Sequence, residues 1–99
     1  MASEQNIQKQ ISNYLESVGA YTFKVIEANR SGVADICACL NGSYIAIEVK
    51  KPGGVISAIQ KVHIDLVRAA GGSAFVVYSL DEAKEHIDNL LGIEVEFEV

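Results

Sequence analysis

Apolar residues in the first twenty positions recur at the spacing of one helical face. They lie three and four residues apart, at Ile7, Ile11, Tyr14, Leu15 and Val18. This spacing predicts an amphipathic helix over roughly residues 4–18. Ser3 precedes the helix and Gly19 follows it, and these residue types commonly begin and end helices. Extending the apolar face backward by three residues reaches Glu4, so the pattern places a carboxylate at the end of the buried face.

Three strand-like segments follow this helix. The segment "AYTFKVI" alternates between apolar and polar residues, and the segments "VADICACL" and "SYIAIEVK" flank Asn41-Gly42. An Asn-Gly pair between two alternating segments is a strong signal for a two-residue β-hairpin turn. The sequence therefore predicts one strand followed by a hairpin.

The next part of the chain alternates helix and strand. "KPGG" interrupts the sheet, and Ser57 then begins a helix that reads "SAIQKVHIDLVRAA" and is followed by Gly71-Gly72. The segment "SAFVVYSL" is apolar on both faces, as expected of a buried strand. A helix between two strands predicts a parallel crossover connection.

A last helix and a last strand are predicted near the C-terminal end. In "DEAKEHIDNLL" the residues expected to face inward are Ala83, Ile87, Leu90 and Leu91, with Gly92 ending the helix. "IEVEFEV" alternates strictly and suits an edge strand with Glu94, Glu96 and Glu98 outward. The predicted order is α-β-β-β-α-β-α-β. This order describes a single α/β domain with a central mixed sheet flanked by helices.

The Asn41-Gly42 turn fixes which hairpin residues face one another. With Leu40 opposite Ser43, one face is apolar and pairs Ile36 with Ile47, Ala38 with Ile45, and Ala34 with Val49. The other face pairs Cys39 with Tyr44, Cys37 with Ala46, and Asp35 with Glu48. Lys50 lies two residues beyond Glu48, so it shares the same face.

The predicted pairing brings the carboxylates of Asp35 and Glu48 together. Directly opposed side chains have Cβ atoms roughly 4.5–5.5 Å apart, where like charges are destabilising. One acid can take a proton, a lysine can lie between the two, or a divalent cation can do so. We favour the cation, because hard oxygen ligands suit Mg²⁺ or Mn²⁺. Two other interpretations stay open: polar residues at a strand edge with Lys50 as their salt-bridge partner, or a one-residue slip that separates the acids.

Composition and charge describe an ordinary folded domain. Its 99 residues fit one domain, and 49% apolar with 21% charged residues is untypical of a disordered chain. The sequence shows neither a membrane-spanning run nor a signal-peptide pattern, so we expect a cytoplasmic protein without membrane association. The net charge of −5 at first argues against nucleic-acid binding. However, more than half of the thirteen acids lie between residues 81 and 98, and residues 49–64 contain three lysines and no acid.

Six short motifs occur together along the chain. They are Glu4 in "SEQNIQKQI", Asp35 in "SGVADI", Glu48 and Lys50 in "IEVKK", and Gln60 in "SAIQ" followed by "GG" and "FVVYS". With these motifs the chain resembles the PD-(D/E)xK nuclease superfamily and, within it, the VRR-NUC (virus-type replication-repair nuclease) family in its stand-alone, minimal form. The resemblance covers about residues 4–83. Ala34 stands where the family usually has proline, which changes the backbone but removes no ligand.

The resemblance implies a restriction-endonuclease-like fold and a Mg²⁺- or Mn²⁺-dependent DNA endonuclease, acting on flaps, forks or junctions. The expected metal ligands are Asp35, Glu48, the carbonyl of Val49, and Glu4 directly or through water. Lys50 would orient a water or neutralise the phosphate, and Gln60 would assist. Because Ser57 and Gln60 also form a capping box, Gln60 has a structural explanation as well. The expected DNA contacts are Lys51, Gly53, Gly54, Lys61 and Arg30.

Two alternatives to this function remain open at the level of sequence. One is a homodimeric Holliday-junction resolvase, since cutting two symmetric strands needs a two-fold dimer. The other is a non-catalytic DNA-binding module with the same fold. We expect a homo-oligomer, with a dimer favoured, because a domain this small covers only a short stretch of DNA. A compact nuclease of this kind suits a bacterial or phage-infected host cell.

Overall fold

The computed structural model describes residues 3–92, which form three helices and four strands. In chain order these are α1 (Glu4–Ser17), β1 (Tyr21–Lys24), β2 (Ile36–Leu40), β3 (Ser43–Val49), α2 (Ala58–Ala69), β4 (Ser73–Val77) and α3 (Leu80–Leu91). The predicted order is confirmed for these seven elements. The predicted last strand, "IEVEFEV", lies outside the described residues.

The hairpin of β2 and β3 has the predicted turn and register. Asn41 and Gly42 both have positive φ, 52° and 81°, as a type I′ turn requires. Leu40 pairs with Ser43 and Ile36 pairs with Ile47, so the ladder extends from the turn to the far end of β2 without a slip. The predicted facing pairs within these two strands are therefore confirmed.

The four strands form one mixed sheet. Its order is β1-β2-β3-β4; β1 pairs with β2 and β2 with β3 in antiparallel orientation, whereas β3 and β4 are parallel. The parallel pair is joined through α2, as predicted from the helix between two strands. β3 thus lies between β2 and β4, and its C-terminal end can receive groups from both neighbours.

Helices cover both faces of the sheet. The larger core lies between the sheet and helices α1 and α3; its members include Ile11, Leu15, Ile36, Ile45, Ile47, Val49, Val77 and Ile87, all fully buried. On the other face, α2 contributes Ile64 to a smaller cluster with Ala46 and Ala74. The predicted apolar face of the hairpin is confirmed, because Ile36, Ala38, Ile45, Ile47 and Val49 all belong to the larger core.

Two predicted positions are wrong. Ala34 was expected opposite Val49 on the face of the larger core, but it packs against the smaller cluster on the α2 side. The reason is that β2 begins only at Ile36, so the strand alternation does not extend back to Ala34. Leu90 was expected to face inward but is 40% exposed, near the end of α3.

Each helix begins at a serine cap, and this determines where its first turn lies. Ser3, Ser57 and Ser79 each accept a hydrogen bond from the backbone N–H three residues later. Ser57 and Gln60 form the complete capping box that the sequence predicts. Among residues 3–92, no helix has the length and apolar character that crossing a membrane would require.

Candidate active site

Asp35 is held at the end of the hairpin ladder by both neighbouring strands. It directly precedes β2, and its carboxylate Oδ2 accepts a 2.8 Å hydrogen bond from the backbone N–H of Val49. Its own carbonyl accepts another 2.8 Å bond from the N–H of Val25, just after β1. The last regular pair of the hairpin is Ile36 with Ile47, so the Asp35 side chain continues the ladder beyond this pair.

Glu48 is a buried acid beside Asp35. Its residue is only 3% exposed, although carboxylates are rarely buried to this extent unless they are paired. Burial, followed by the negative charge of Asp35, raises the pKa of Glu48 to about 7, whereas Lys50 acts in the opposite direction. Asp35 is thus close enough for its charge to act on Glu48, as the predicted register requires.

Lys50 and Gln60 both approach the same oxygen of Glu48. The ammonium of Lys50 lies 3.5 Å from Glu48 Oε2. The amide Nε2 of Gln60 donates a 2.9 Å hydrogen bond to that oxygen. These contacts orient Glu48 from the end of its own strand and from α2.

Both interpretations of Gln60 fit the geometry. Its Oε1 accepts a 2.9 Å hydrogen bond from the N–H of Ser57, which completes the capping box. Its Nε2 is at the same time the donor to Glu48. One amide therefore fixes the start of α2 and the orientation of the buried acid.

Glu4 lies next to this group but does not join the acid pair. Its Oε2 accepts a 3.3 Å hydrogen bond from the backbone N–H of Lys51, directly after the strand end. Within residues 3–92, no three His, Cys, Asp or Glu side chains converge closely enough to hold a metal ion. The expectation that Glu4 shares a metal directly with Asp35 and Glu48 therefore finds no support in this geometry.

The acid pair has the chemistry of a site for a hard cation. Asp35 and Glu48 offer carboxylate oxygens, which are the donors that Mg²⁺ and Mn²⁺ prefer. Burial and then the charge of Asp35 raise the pKa of Glu48, and a positive ion between the two acids would relieve their repulsion. The donor set present in the chain thus fits a divalent cation, with two side-chain ligands rather than three.

The residues expected to contact DNA fall into two groups. Lys51, Gly53 and Gly54 follow the strand end in a turn, in which the N–H of Gly54 donates to the carbonyl of Lys51 and Gly53 has a φ of 86°. Lys61 and Arg30 are exposed and lie elsewhere. Lys61 follows Gln60 on α2 and forms an exposed ion pair with Asp65, 3.6 Å apart.

Arg30 lines a groove on the α2 side of the molecule. The groove has a volume of about 340 Å³ and also contains Tyr44, His63 and Leu66. A smaller cavity of about 60 Å³ shares Tyr44 and His63 with it and reaches Glu48. Arg30 lines the larger groove and Glu48 lines the smaller cavity, so the two residues are in different pockets.

Apart from Gln60, the sequence did not indicate the surroundings of Glu48 on the α2 side. His63 lines the small cavity together with Glu48, and its position three residues after Gln60 on a helix was the available signal. Tyr44 also lines it, with its hydroxyl 3.0 Å from the sulfur of Cys37. This contact, aided by burial, raises the pKa of Tyr44 to about 12, so its hydroxyl stays protonated.

Comparisons with known proteins place this geometry among solved structures. No protein-family model and no curated protein sequence matches the chain. One similar structure is a VRR_NUC domain, with 26% identity and a TM-score of 0.76, covering 86% of this chain and 94% of the other. Another is Hjc, a Holliday junction resolvase from the archaeal hyperthermophile Archaeoglobus fulgidus. It is 25% identical with a TM-score of 0.60, covering 76% of this chain and 67% of the other.

Proposed function

Because the chain has a VRR-NUC-like fold of the PD-(D/E)xK nuclease type, we propose that it is a metal-dependent endonuclease that hydrolyses phosphodiester bonds in DNA. The observation that carries the proposal is the buried Glu48 beside the partly buried Asp35, with the ammonium of Lys50 3.5 Å from Glu48. A buried carboxylate next to a second acid is costly for a purely structural sheet. In a site that binds a cation and a phosphate, the cation offsets the repulsion between the two carboxylates, which explains why both acids are present.

In this proposal Asp35 and Glu48 hold Mg²⁺ or Mn²⁺, and the carbonyl of Val49 is a further candidate ligand. When bound, such a cation supplies Lewis-acid activation of the scissile phosphate and of a water molecule. Glu4 acts through water, because it does not form a common cluster with the acid pair. The hydrogen bond from Val49 keeps the Asp35 carboxylate directed toward the strand end.

Lys50 and Gln60 perform the remaining tasks in the site. The half-buried ammonium of Lys50 neutralises charge that develops on the phosphate and orients the attacking water. Gln60 holds one oxygen of Glu48, so the carboxylate does not rotate away from the pair. A substrate phosphate that enters between these groups therefore meets oriented side chains rather than mobile ones.

DNA is the proposed partner, and the turn after the site is the nearest surface for it. Lys51 is exposed at the start of this turn, and Gly53 and Gly54 present backbone without side chains. Lys61 and Arg30 are proposed as more distant phosphate contacts. We propose selectivity for branched DNA, such as flaps, forks or junctions, in replication, repair or recombination.

A Holliday-junction resolvase is the second candidate, favoured by the similarity to Hjc. This function requires a symmetric dimer, because the two cuts are related by a two-fold axis. The VRR_NUC domain is similar over a larger share of both chains, and for that reason we place a flap- or fork-cutting endonuclease first. Paired nicks on four-way junctions by a dimer would reverse this order.

The decisive experiment is incubation of the purified chain with supercoiled plasmid in Mg²⁺ or Mn²⁺, with EDTA as the metal-free arm. We expect nicking by the wild type and its loss in EDTA and in Lys50→Ala. Lys84→Ala is the matched control, because this lysine is on α3 and contacts the Tyr14 ring rather than the acid pair. Cleavage that survives both EDTA and Lys50→Ala would contradict the proposal. DNA binding without cleavage in either metal would favour a non-catalytic module.

Labelled flap, fork, duplex and four-way substrates then define the preferred DNA structure. A monomer that cuts one strand of a flap agrees with our first candidate. Equal cleavage of all substrates, including plain duplex, would contradict structure selectivity while leaving the nuclease activity intact.

A further inference from the structure

Another groove lies along α1, and the acid pair does not line it. It has a volume of about 460 Å³ and is lined by Gln5, Gln8, Lys9 and Ser12 of α1 and by Lys24 at the end of β1. None of the residues assigned above to metal or DNA contributes to it. All of these lining residues carry a polar or cationic group at the end of the side chain.

Gln8 is the most informative residue in this groove. It is only 7% exposed, yet its buried Oε1 has no hydrogen-bond partner within the part of the chain that the structure describes. A buried polar atom without a partner costs about 1–3 kcal/mol, so such atoms are uncommon in folded proteins. Gln8 also lines the groove, and the N–H groups of its amide can donate hydrogen bonds to a ligand there.

The groove carries positive charge and no compensating acid. Lys9 and Lys24 are both exposed, and within residues 3–92 neither takes part in an ion pair. None of the lining residues is Asp or Glu. This contrasts with the net charge of −5 for the whole chain, and it favours an anionic ligand over any other class.

The groove is close to the candidate active site through α1. Gln8 follows Glu4 by four residues, so the two side chains lie on the same side of the helix, roughly 6 Å apart along its axis. Glu4 in turn accepts the hydrogen bond from Lys51 at the end of the acid-bearing strand. An extended polyanion bound at the acid pair therefore reaches the groove by continuing along α1.

From these observations we propose that the groove binds a backbone phosphate of the same DNA that is bound at the acid pair. Lys9 and Lys24 supply the charge, and the Gln8 amide and the Ser12 hydroxyl supply hydrogen-bond donors. This inference rests on the proposed nuclease function and adds a direction to it: the DNA runs from Asp35 and Glu48 past the N-terminal turns of α1.

The first test measures the salt dependence of DNA binding by fluorescence anisotropy. A labelled flap substrate is titrated in EDTA, which prevents metal-dependent cleavage, at several salt concentrations. Each phosphate contact contributes about 0.9 to the slope of log affinity against log salt. We expect Lys9→Gln and Lys24→Gln each to reduce the slope by up to about 0.9, and Lys84→Gln to leave it unchanged. Wild-type slopes for both groove variants would overturn the inference.

The second test uses Gln8→Leu, which keeps the size of the side chain but removes its amide. We expect the melting temperature to rise, because a buried acceptor without a partner is removed, while DNA affinity falls several-fold. If Gln8 had only a structural role, Gln8→Leu would not lose DNA affinity as long as its melting temperature is equal to or above that of the wild type. Unchanged affinity would therefore overturn the part assigned to Gln8.

Cleavage assays separate this inference from the nuclease proposal. If the wild type cuts plasmid and the Lys9→Gln/Lys24→Gln double variant cuts with an unchanged KM, the groove inference fails and the nuclease proposal stands. A raised KM with a nearly unchanged kcat supports the inference, since the groove binds DNA away from the reacting phosphate. If the wild type neither binds nor cuts DNA, both proposals fail.

Discussion

The backbone N–H of Val49 donates a 2.8 Å hydrogen bond to the carboxylate of Asp35 and so ties the two strands of the hairpin together beyond their last regular pair. The Asp35 carboxylate accepts the hydrogen bond that a backbone carbonyl would accept in a regular ladder. The bond keeps Asp35 beside Glu48 even though the charges of the two acids repel each other. The same contact that closes the ladder therefore maintains the acid pair.

Substitutions at Asp35 should separate charge from hydrogen bonding. Asp35→Asn removes the repulsion and keeps an oxygen that can accept from Val49, so we expect a higher metal-free melting temperature with loss of cleavage. Asp35→Ala also removes the repulsion but leaves the Val49 N–H without its acceptor, at a cost of about 1–3 kcal/mol. Thermal unfolding in EDTA measures both. A lower melting temperature for Asp35→Asn than for Asp35→Ala would contradict this account.

Stability without metal should depend on pH through Glu48. The folded chain keeps the proton of this carboxyl up to a pKa of about 7, whereas the ordinary value is 4.5. Because the folded state binds more protons than the unfolded state between these values, the free energy of unfolding should fall as pH rises from 4.5 to 7. Melting curves in EDTA across this range test the sign.

Glu48→Gln isolates this contribution from those of the other acids. The difference in stability between the variant and the wild type should grow in favour of the variant as pH rises, and then level off above pH 7. A constant difference across the whole range would mean that Glu48 does not titrate in this window.

Magnesium should stabilise the chain, and more strongly at higher pH. Binding to the folded state alone raises the melting temperature by mass action. Below the pKa of Glu48, a proton competes for the carboxylate, so the shift produced by millimolar Mg²⁺ should be small at pH 6 and larger at pH 8. Calorimetric titration measures the affinity. Equal shifts in Asp35→Asn and in the wild type would place the ion elsewhere.

Gln60 should have two separable roles. Gln60→Glu keeps a side-chain oxygen for the N–H of Ser57 but places a carboxylate beside Glu48, so we expect a retained cap and reduced cleavage. Ser57→Ala is the complementary control, since it removes the cap, at about 1 kcal/mol, without touching Glu48. We expect Gln60→Glu to lower the nicking rate more than the melting temperature. We expect Ser57→Ala to lower the melting temperature more than the nicking rate. Cleavage at the wild-type rate by Gln60→Glu would restrict Gln60 to helix capping.

The hairpin was predictable from sequence because two local rules act together there. Asn-Gly selects the turn, and the two-residue period of a strand then assigns each side chain to a face. This was sufficient to bring Asp35 and Glu48 together. The rule failed at Ala34, where the chain leaves the regular strand and the period no longer applies.

The parts of the site that depend on packing between distant elements were less accessible. Glu4 was correctly placed on the first turn of α1, but its distance from the acid pair depends on how α1 lies against the sheet. The groove around Gln8 was not indicated at all, because Lys24 joins it from β1. The spacing of residues within one helix or strand does not predict which residues of two different elements will lie together.

The parallel pairing of β3 with β4 determines how much of the chain must be synthesised before the candidate site is complete. The N–H of Lys50 donates to the carbonyl of Val77, twenty-seven positions later, and the Gln60 amide arrives with the intervening helix. When only the first fifty residues have left the ribosome, Asp35 and Glu48 are present. The hydrogen bonds from Lys50 to Val77 and from Gln60 to Glu48 cannot yet form. Under the proposed function, a nascent chain that lacks β4 would not yet cut DNA, because the hydrogen bond from Lys50 to Val77 forms only after β4 has been added.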